Sequence, residues 1–249
     1  MSTTSALPGV QGVQSIDPGR SACFDPWLSN VREAIVYFSS PAVDEVFAEY
    51  EKRNTDERAK AVSLGSRQFE HRDEFLLPIG REVGWFLHSL ILAKRPVRVL
   101  ELGTSYGYST LFLADAVTQV GGTLITMELA AYKQAVARAM IERAGISAVV
   151  DFRLGDAVAL IDADAGPFDL VLLDIWKDLY IPCLRACYPK LADEGIIAAD
   201  NMIEPAMVRE DVRKYRAAVG ALPDMQTALL PIGSGIELSV KWSSANKKL

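Results

Sequence analysis

The stretch Val97-Arg-Val-Leu-Glu-Leu-Gly-Thr-Ser-Tyr-Gly-Tyr-Ser-Thr110 restricts the fold more than any other part of the chain. Val97 to Leu102 is an aliphatic, β-branched run between Pro96 and Gly103, the pattern of a buried parallel strand. Gly103 and Gly107 open a tight turn. Ser109-Thr110 then precede Leu111, Phe112, Leu113 and Ala114, which reads as a helix start. Strand, glycine turn and helix together present backbone N–H groups and a helix N-terminus to a nucleotide-like ligand.

The dinucleotide fingerprint needs a third glycine and a shorter first gap. This loop has Gly-x-x-x-Gly directly after Leu102, with Glu101 just before it. An acid there repels a pyrophosphate and suits a ligand with hydroxyls or a positive centre, which points to S-adenosylmethionine. The following segment supports that reading. Gly121-Gly122 make a turn, Thr123 to Met127 is strand-like, and Glu128 ends it. An acid about 25 residues beyond the first glycine sits where it can hydrogen-bond a ribose diol. The simpler alternative for Glu128 is a solvated acid at a strand end.

Size and composition narrow the class. At 249 residues, half of them apolar, the chain can bury one large core. A net charge of −6 and the lack of a Lys/Arg-rich run argue against nucleic acid as the main partner. No apolar stretch approaches ~18 residues, so no membrane span is expected. Residues 1–20 are rich in Ser, Thr, Gly and Pro, lack a signal-peptide pattern, and are expected to be disordered. Three cysteines, Cys23, Cys183 and Cys187, are too few and scattered for a disulfide framework; Cys183 and Cys187 have the spacing of core packing. His71 and His88 alone exclude a His-rich metal site. The expected compartment is the cytoplasm, and the sequence leaves open whether the chain works alone or as a homodimer.

The order of elements gives the fold class. Residues 21–77 read as a helical extension expected to cover an acceptor site, with Asn30 to Phe38 amphipathic and Val43 to Ala61 continuing beyond Ser39-Ser40-Pro41. The charged run Glu49 to Arg58 reads as a solvated helix surface. Arg81 to Ala93 is a helix with Trp85, Phe86, Leu90 and Ile91 toward the core. Strands at 97–102, 123–127, 149–153, 169–173 and 195–199 alternate with helices at 108–118, 131–143, 156–162 and 182–190. Met225 to Leu230 and Ile236 to Trp242 form a hairpin around Pro231-Ile-Gly-Ser-Gly235. The expectation is an α/β, doubly wound, mostly parallel seven-stranded sheet with an antiparallel C-terminal hairpin, over residues 78–249.

Two strands end in acids. Asp169-Leu-Val-Leu-Leu-Asp174 is one, and Ile196-Ile-Ala-Ala-Asp200-Asn201 is the next. In a parallel sheet these ends lie side by side in the ligand crevice. Asp174, Asp200 and Asn201 then offer oxygen-only ligands for a hard cation such as Mg²⁺, with positions left for water or substrate. Singly, each would read as a helix cap or loop bond.

Glu-Leu-Gly-x-x-x-Gly-Tyr-Ser, Glu128, Leu-Asp174-x-Trp-Lys-Asp-x-Tyr and Ala-Asp200-Asn201 together resemble the metal-dependent catechol O-methyltransferase-like family, from about Pro78 to Trp242. The resemblance implies a class I methyltransferase fold with S-adenosylmethionine as methyl donor. It implies that Glu101, Gly103, Ser105, Ser109 and Glu128 line the cofactor site, that Asp156 and Ala157 meet adenine with Trp176 beside them, and that Asp174 borders the cofactor. It further implies Asp174, Asp200 and Asn201 as Mg²⁺ ligands and Lys177 as the catalytic base. Two places depart from the family. Ile175 stands where the catechol enzyme has a polar residue, and Thr227-Ala-Leu-Leu-Pro231 lacks the substrate-side carboxylate.

The expected activity is methyl transfer to a hydroxyl of a small phenolic acceptor with adjacent hydroxyls. An NAD-dependent oxidoreductase is disfavoured by the missing fingerprint. A non-catalytic S-adenosylmethionine-binding protein would have lost Lys177 or a metal acid, and all are present. A protein or RNA methyltransferase seldom needs Mg²⁺, and this chain is acidic.

Overall fold

Parallel strands need crossover helices, and the chain supplies one after nearly every strand. The computed structural model describes residues 38–65, 67 and 73–242. Helix α1 is Pro41–Leu64 and α2 is Arg81–Lys94. Then come β1 (Arg98–Leu102), α3 (Tyr108–Val120), β2 (Thr123–Glu128), α4 (Ala131–Arg143), β3 (Val150–Leu154) and α5 (Ala157–Ala163). The chain continues through β4 (Phe168–Leu173), α6 (Tyr180–Cys187), β5 (Leu191–Ala199), α7 (Arg209–Gly220), β6 (Met225–Leu230) and β7 (Ile236–Lys241).

The seven strands form one sheet in the order β3-β2-β1-β4-β5-β7-β6. β1 to β5 pair in parallel, and β7 runs antiparallel to both β5 and β6. The order reverses between β1 and β4, so the ligand crevice opens at their carboxyl ends. Strand alternation divides the core into two layers. Val99, Leu170 and Leu172 pack with α1 to α4, whereas Leu100, Leu102, Val171 and Leu173 pack with α5 to α7.

The start of α1 shows how local chemistry sets an element. Ser40 caps it, its hydroxyl accepting the Val43 N–H at 3.4 Å, and Pro41 fills the first turn, where no N–H is needed. The expected amphipathic run up to residue 37, the tail expected to be disordered, Cys23 and His71 lie outside the described residues.

Three details differ from the sequence reading. In α2 the fully buried face is Val83, Gly84, Leu87, His88 and Ile91, while Trp85, Phe86 and Leu90 are only partly covered. His88 is buried because its Nε2 pairs with Asp115 at 2.8 Å, a satisfied polar contact that periodicity cannot show. β5 begins at Leu191 rather than 195, because Leu191 already pairs with Phe168 and a bulge, with Glu194 at a left-handed φ of 60°, separates it from the regular ladder that starts at Ile196. The last expected helix ends at Cys187 and passes into a 3₁₀ turn over Tyr188–Lys190. Cys183 and Cys187 are buried in the core, as their spacing implies. No described helix is long and apolar enough to cross a membrane.

Candidate active site

The carboxyl ends of β1, β4 and β5 meet at one place. The ladder runs one residue past each strand, with the Asp174 N–H donating to Leu102 O and the Asp200 N–H to Leu173 O, both at 3.1 Å. Asp174 therefore sits between the glycine turn and Asp200. The turn can approach only because Gly103 has no side chain. A Cβ there would lie 2.0 Å from the Asp174 carbonyl oxygen, and its φ of 100° is one that L residues rarely adopt.

The turn itself is bonded on its sheet side. The N–H groups of Gly103 and Thr104 donate to Met127 O at 3.0 and 3.1 Å. Ser105, at a left-handed φ of 46°, donates its N–H to Glu128 Oε2 at 2.8 Å. Glu128 Oε1 accepts the Leu129 and Ala130 N–H groups, each at 2.9 Å. Glu128 thus fixes both the turn and the exit from β2. Ser109 is buried in the first turn of α3.

Glu101 lies beneath the turn, fully buried, rather than at its mouth. Its Oε2 accepts the hydroxyls of Thr110 and Thr126, each at 2.6 Å, while Oε1 has no partner. Burial is the main force on this carboxyl and lifts it from 4.5 to about 7, against the pull of its hydroxyl donors. A carboxyl raised in the fold keeps a proton that the unfolded chain releases. The fold therefore loses stability as pH rises from about 4.5 to about 7. Glu101→Gln removes that dependence. Urea unfolding should find the variant gaining on the natural protein between pH 5 and pH 8, by up to about 3 kcal/mol. A gap independent of pH would contradict the assignment.

The other pole is a lysine among acids. Asp200 is buried and Asp174 partly so. Burial pushes both carboxyls above the usual range, and at Asp200 the charge of Asp174 adds to the effect. Asp200 Oδ1 has no hydrogen-bond partner. Asn201 holds a left-handed φ of 55°, a conformation asparagine tolerates better than most residues. Lys177 Nζ donates to Asn201 Oδ1 at 2.9 Å, to the Tyr180 hydroxyl, and more weakly to Ile175 O at 3.4 Å. Burial pulls the Lys177 ammonium below its usual range, against the two aspartates.

Tyr180 closes the Leu-Asp-x-Trp-Lys-Asp-x-Tyr motif, and the sequence alone assigns it no role. Its buried hydroxyl lies 2.9 Å from Leu173 O and 3.0 Å from Asp200 O, so it ties the ends of β4 and β5 together while receiving Lys177. The Lys-x-x-Tyr spacing of one helical turn was the available signal.

The remaining candidates stand at the rim. Asp156 caps α5, its Oδ1 accepting the Ala159 N–H at 2.9 Å, and Ala157 is buried in the first turn. This turn lies beside Glu128, since the Gly155 N–H donates to Glu128 O at 2.9 Å. Trp176 is 48% exposed. The structure thus groups Asp174, Lys177, Asp200 and Asn201 in one cluster, and Gly103, Ser105 and Glu128 in a second beside it.

The donor set fits a hard cation. One buried and one partly buried acid, an amide oxygen, and an Asp200 oxygen lacking any donor are a set that positive charge beside Lys177 would suit. Among the described residues no three His, Cys, Asp or Glu side chains converge on a metal site; here the third oxygen is an amide.

Comparison with known proteins decides the family. The sequence profile of the family described as O-methyltransferase matches residues 64–242. The chain belongs to the O-methyltransferase family. It is a class I, S-adenosylmethionine-dependent O-methyltransferase. Among its relatives, a catechol O-methyltransferase of Niastella koreensis is 32% identical over 160 residues, covering 59% of this chain and 72% of the relative. Caffeoyl-CoA O-methyltransferase 1 of Arabidopsis thaliana is 29% identical over 184 residues, 66% of this chain and 71% of the relative. An SAH-bound methyltransferase from Podospora anserina shares the fold of this methyltransferase, with a TM-score of 0.68 and 22% identity over 93% of this chain and 100% of that one.

Proposed function

We propose that this methyltransferase uses a divalent cation, Mg²⁺ or a close substitute, to methylate a small aromatic acceptor carrying adjacent hydroxyls. The observation that carries this is the pair of acids at neighbouring strand ends, with Asp200 Oδ1 lacking a partner and Lys177 on Asn201. The names of the catechol and caffeoyl-CoA relatives support a phenolic acceptor.

Asp174, Asp200 and Asn201 would hold the ion. When bound, the ion favours the ionised form of an acceptor hydroxyl, as bound cations do for acidic ligands generally. The glycine turn with Gly103, Ser105 and Ser109 would hold the methionine end of S-adenosylmethionine. Glu128 would take the ribose, and Asp156, Ala157 and Trp176 the adenine. Glu101 supports the turn from beneath. Asp174, between turn and acids, borders donor and acceptor alike.

Methyl transfer from a sulfonium is an in-line displacement, so the protein mainly supplies orientation and an ionised oxygen. A phenol with a pKa of about 10 is mostly protonated at neutral pH. Lys177 Nζ would take that proton as the neutral amine, a form that burial favours by pulling its ammonium below the usual range. When bound, S-adenosylmethionine would supply an electrophilic methyl group, whose carbon–sulfur bond would break as the acceptor oxygen bonds the carbon, leaving a neutral thioether. Trp176, 48% exposed and next to Lys177 in the chain, is suited to wall an aromatic ring.

With an ion held by Asp174, Asp200 and Asn201, an acceptor with two adjacent oxygens would arrive oriented, whereas a lone phenol would stay free to rotate. A catechol should therefore exceed the same ring lacking one hydroxyl by at least ~100-fold in kcat/KM. Equal values for the matched pair would defeat the acceptor assignment.

A further inference from the structure

Helix α1 presents Tyr50, Arg53 and Glu57 three and four residues apart, and so on one face. The charged run Glu49 to Arg58 reads as a solvated surface, and Tyr50 as part of the face it shares with Val46 and Phe47. The outward pairs form, Lys52 with Asp56 and Arg53 with Glu57, and Tyr50 is buried at 1% exposed, where it meets the glycine turn. The Tyr50 hydroxyl donates to the Tyr106 carbonyl at 2.6 Å. A Cβ on Gly107 would come within 2.8 Å of that hydroxyl, so the turn and the helix are fitted to each other.

The same face holds the rest of Tyr106. The Arg53 guanidinium lies 4.0 Å from the centre of its ring and donates to Glu74 O at 3.1 Å. Glu57 accepts the Leu76 N–H at 2.6 Å, and the Tyr106 hydroxyl donates to Asp73 O at 3.0 Å. Tyr106 is thereby gripped at its carbonyl, its ring face and its hydroxyl.

The turn needs such a grip. Gly103, Ser105 and Gly107 all hold positive φ, and Ser105 has no glycine's freedom to do so. Glu128 fixes the Ser105 N–H from the end of β2, and Tyr50 fixes the Tyr106 carbonyl from α1, so the two-residue segment Ser105-Tyr106 is held by the peptide groups on either side of it. We propose that Tyr50 is a positioning residue for the methyl donor, holding the turn, through the Tyr106 carbonyl, in the shape that receives S-adenosylmethionine. This rests on the reading of the turn as the cofactor site. Burial keeps the Tyr50 phenol well above the ordinary tyrosine range, so it remains a donor at any working pH. Residues 41–64 then serve the donor, in addition to any cover they give the acceptor.

The experiment is calorimetry of S-adenosylhomocysteine binding, with steady-state kinetics, on Tyr50→Phe, Arg53→Met and Gly103→Ala. Tyr50→Phe keeps the ring packed edge-on against Tyr108 and removes only the hydroxyl. Its Kd, and its KM for S-adenosylmethionine, should rise about 10-fold, while kcat at saturating donor and the acceptor KM stay within about twofold. Arg53→Met, which leaves Tyr50 in place, should move Kd the same way by about threefold. A folded Tyr50→Phe protein with a lower Tm but natural Kd, beside a Gly103→Ala protein that has lost binding, would make Tyr50 a purely structural residue and overturn the proposal alone. Natural affinity in Gly103→Ala would remove the turn from the cofactor site and overturn both readings.

Discussion

Gly103→Ala should abolish binding of S-adenosylmethionine while leaving a destabilised fold. The added Cβ would stand 2.0 Å from the Asp174 carbonyl oxygen, far inside van der Waals contact, and that oxygen belongs to backbone that cannot swing aside. Relief requires separating the ends of β1 and β4, which the Asp174 N–H to Leu102 O bond opposes. A φ of 100° adds strain of about 1–3 kcal/mol for a residue with a side chain. Together with overpacking this gives a loss of about 3 kcal/mol or more, which for a chain of this size lowers Tm by roughly 6–12 °C. Because the displaced atoms bear the turn, donor affinity should fall at least ~100-fold. Thermal melts and calorimetry check this; a variant with natural Tm and affinity would contradict the packing described.

Asp200→Ala should separate chemistry from donor binding. Asp200 is buried at the β5 end, beyond Asp174 from the glycine turn, and its Oδ1 has no partner in the protein. On the proposed reading Asp200 is one of three side chains that would hold a cation worth several kcal/mol of transition-state stabilisation, so turnover should drop by ~10³-fold or more. The fold should be no less stable near neutral pH, because burial and Asp174 already oppose the Asp200 charge. Donor affinity should stay within about threefold, since the turn keeps its bonds to Met127 and Glu128. Equal turnover in the variant and the natural protein would remove Asp200 from the reaction.

How much of this was legible in the sequence depended on whether the controlling contact was local or distant. The glycine turn, the five parallel strands and the hairpin announce themselves through short apolar runs and turn residues. The neighbourhood of Asp174 and Asp200 also follows from topology, since pairing Leu173 with Ala199 leaves the next residues side by side. Depth was not legible. Strand alternation assigns Glu101 a face, but not that Thr110 and Thr126 enclose it beneath the turn. Partners distant in sequence were equally hidden. The charges around Tyr50 carry the pattern of a solvated helix, and nothing within the helix marks Tyr106, 56 residues on, as the group its face meets. His88 and Asp115 make the same point at a distance of 27 residues.

The central claim is that a cation held by Asp174, Asp200 and Asn201 serves the acceptor. The most direct measurement follows methyl transfer from S-adenosylmethionine to a catechol in the purified protein, first with excess EDTA and then with Mg²⁺ restored, with S-adenosylhomocysteine affinity measured in both states. Turnover should vanish in EDTA and return with Mg²⁺, while the affinity stays unchanged. Full turnover in EDTA would contradict the claim and leave Lys177 to act on the acceptor without a metal.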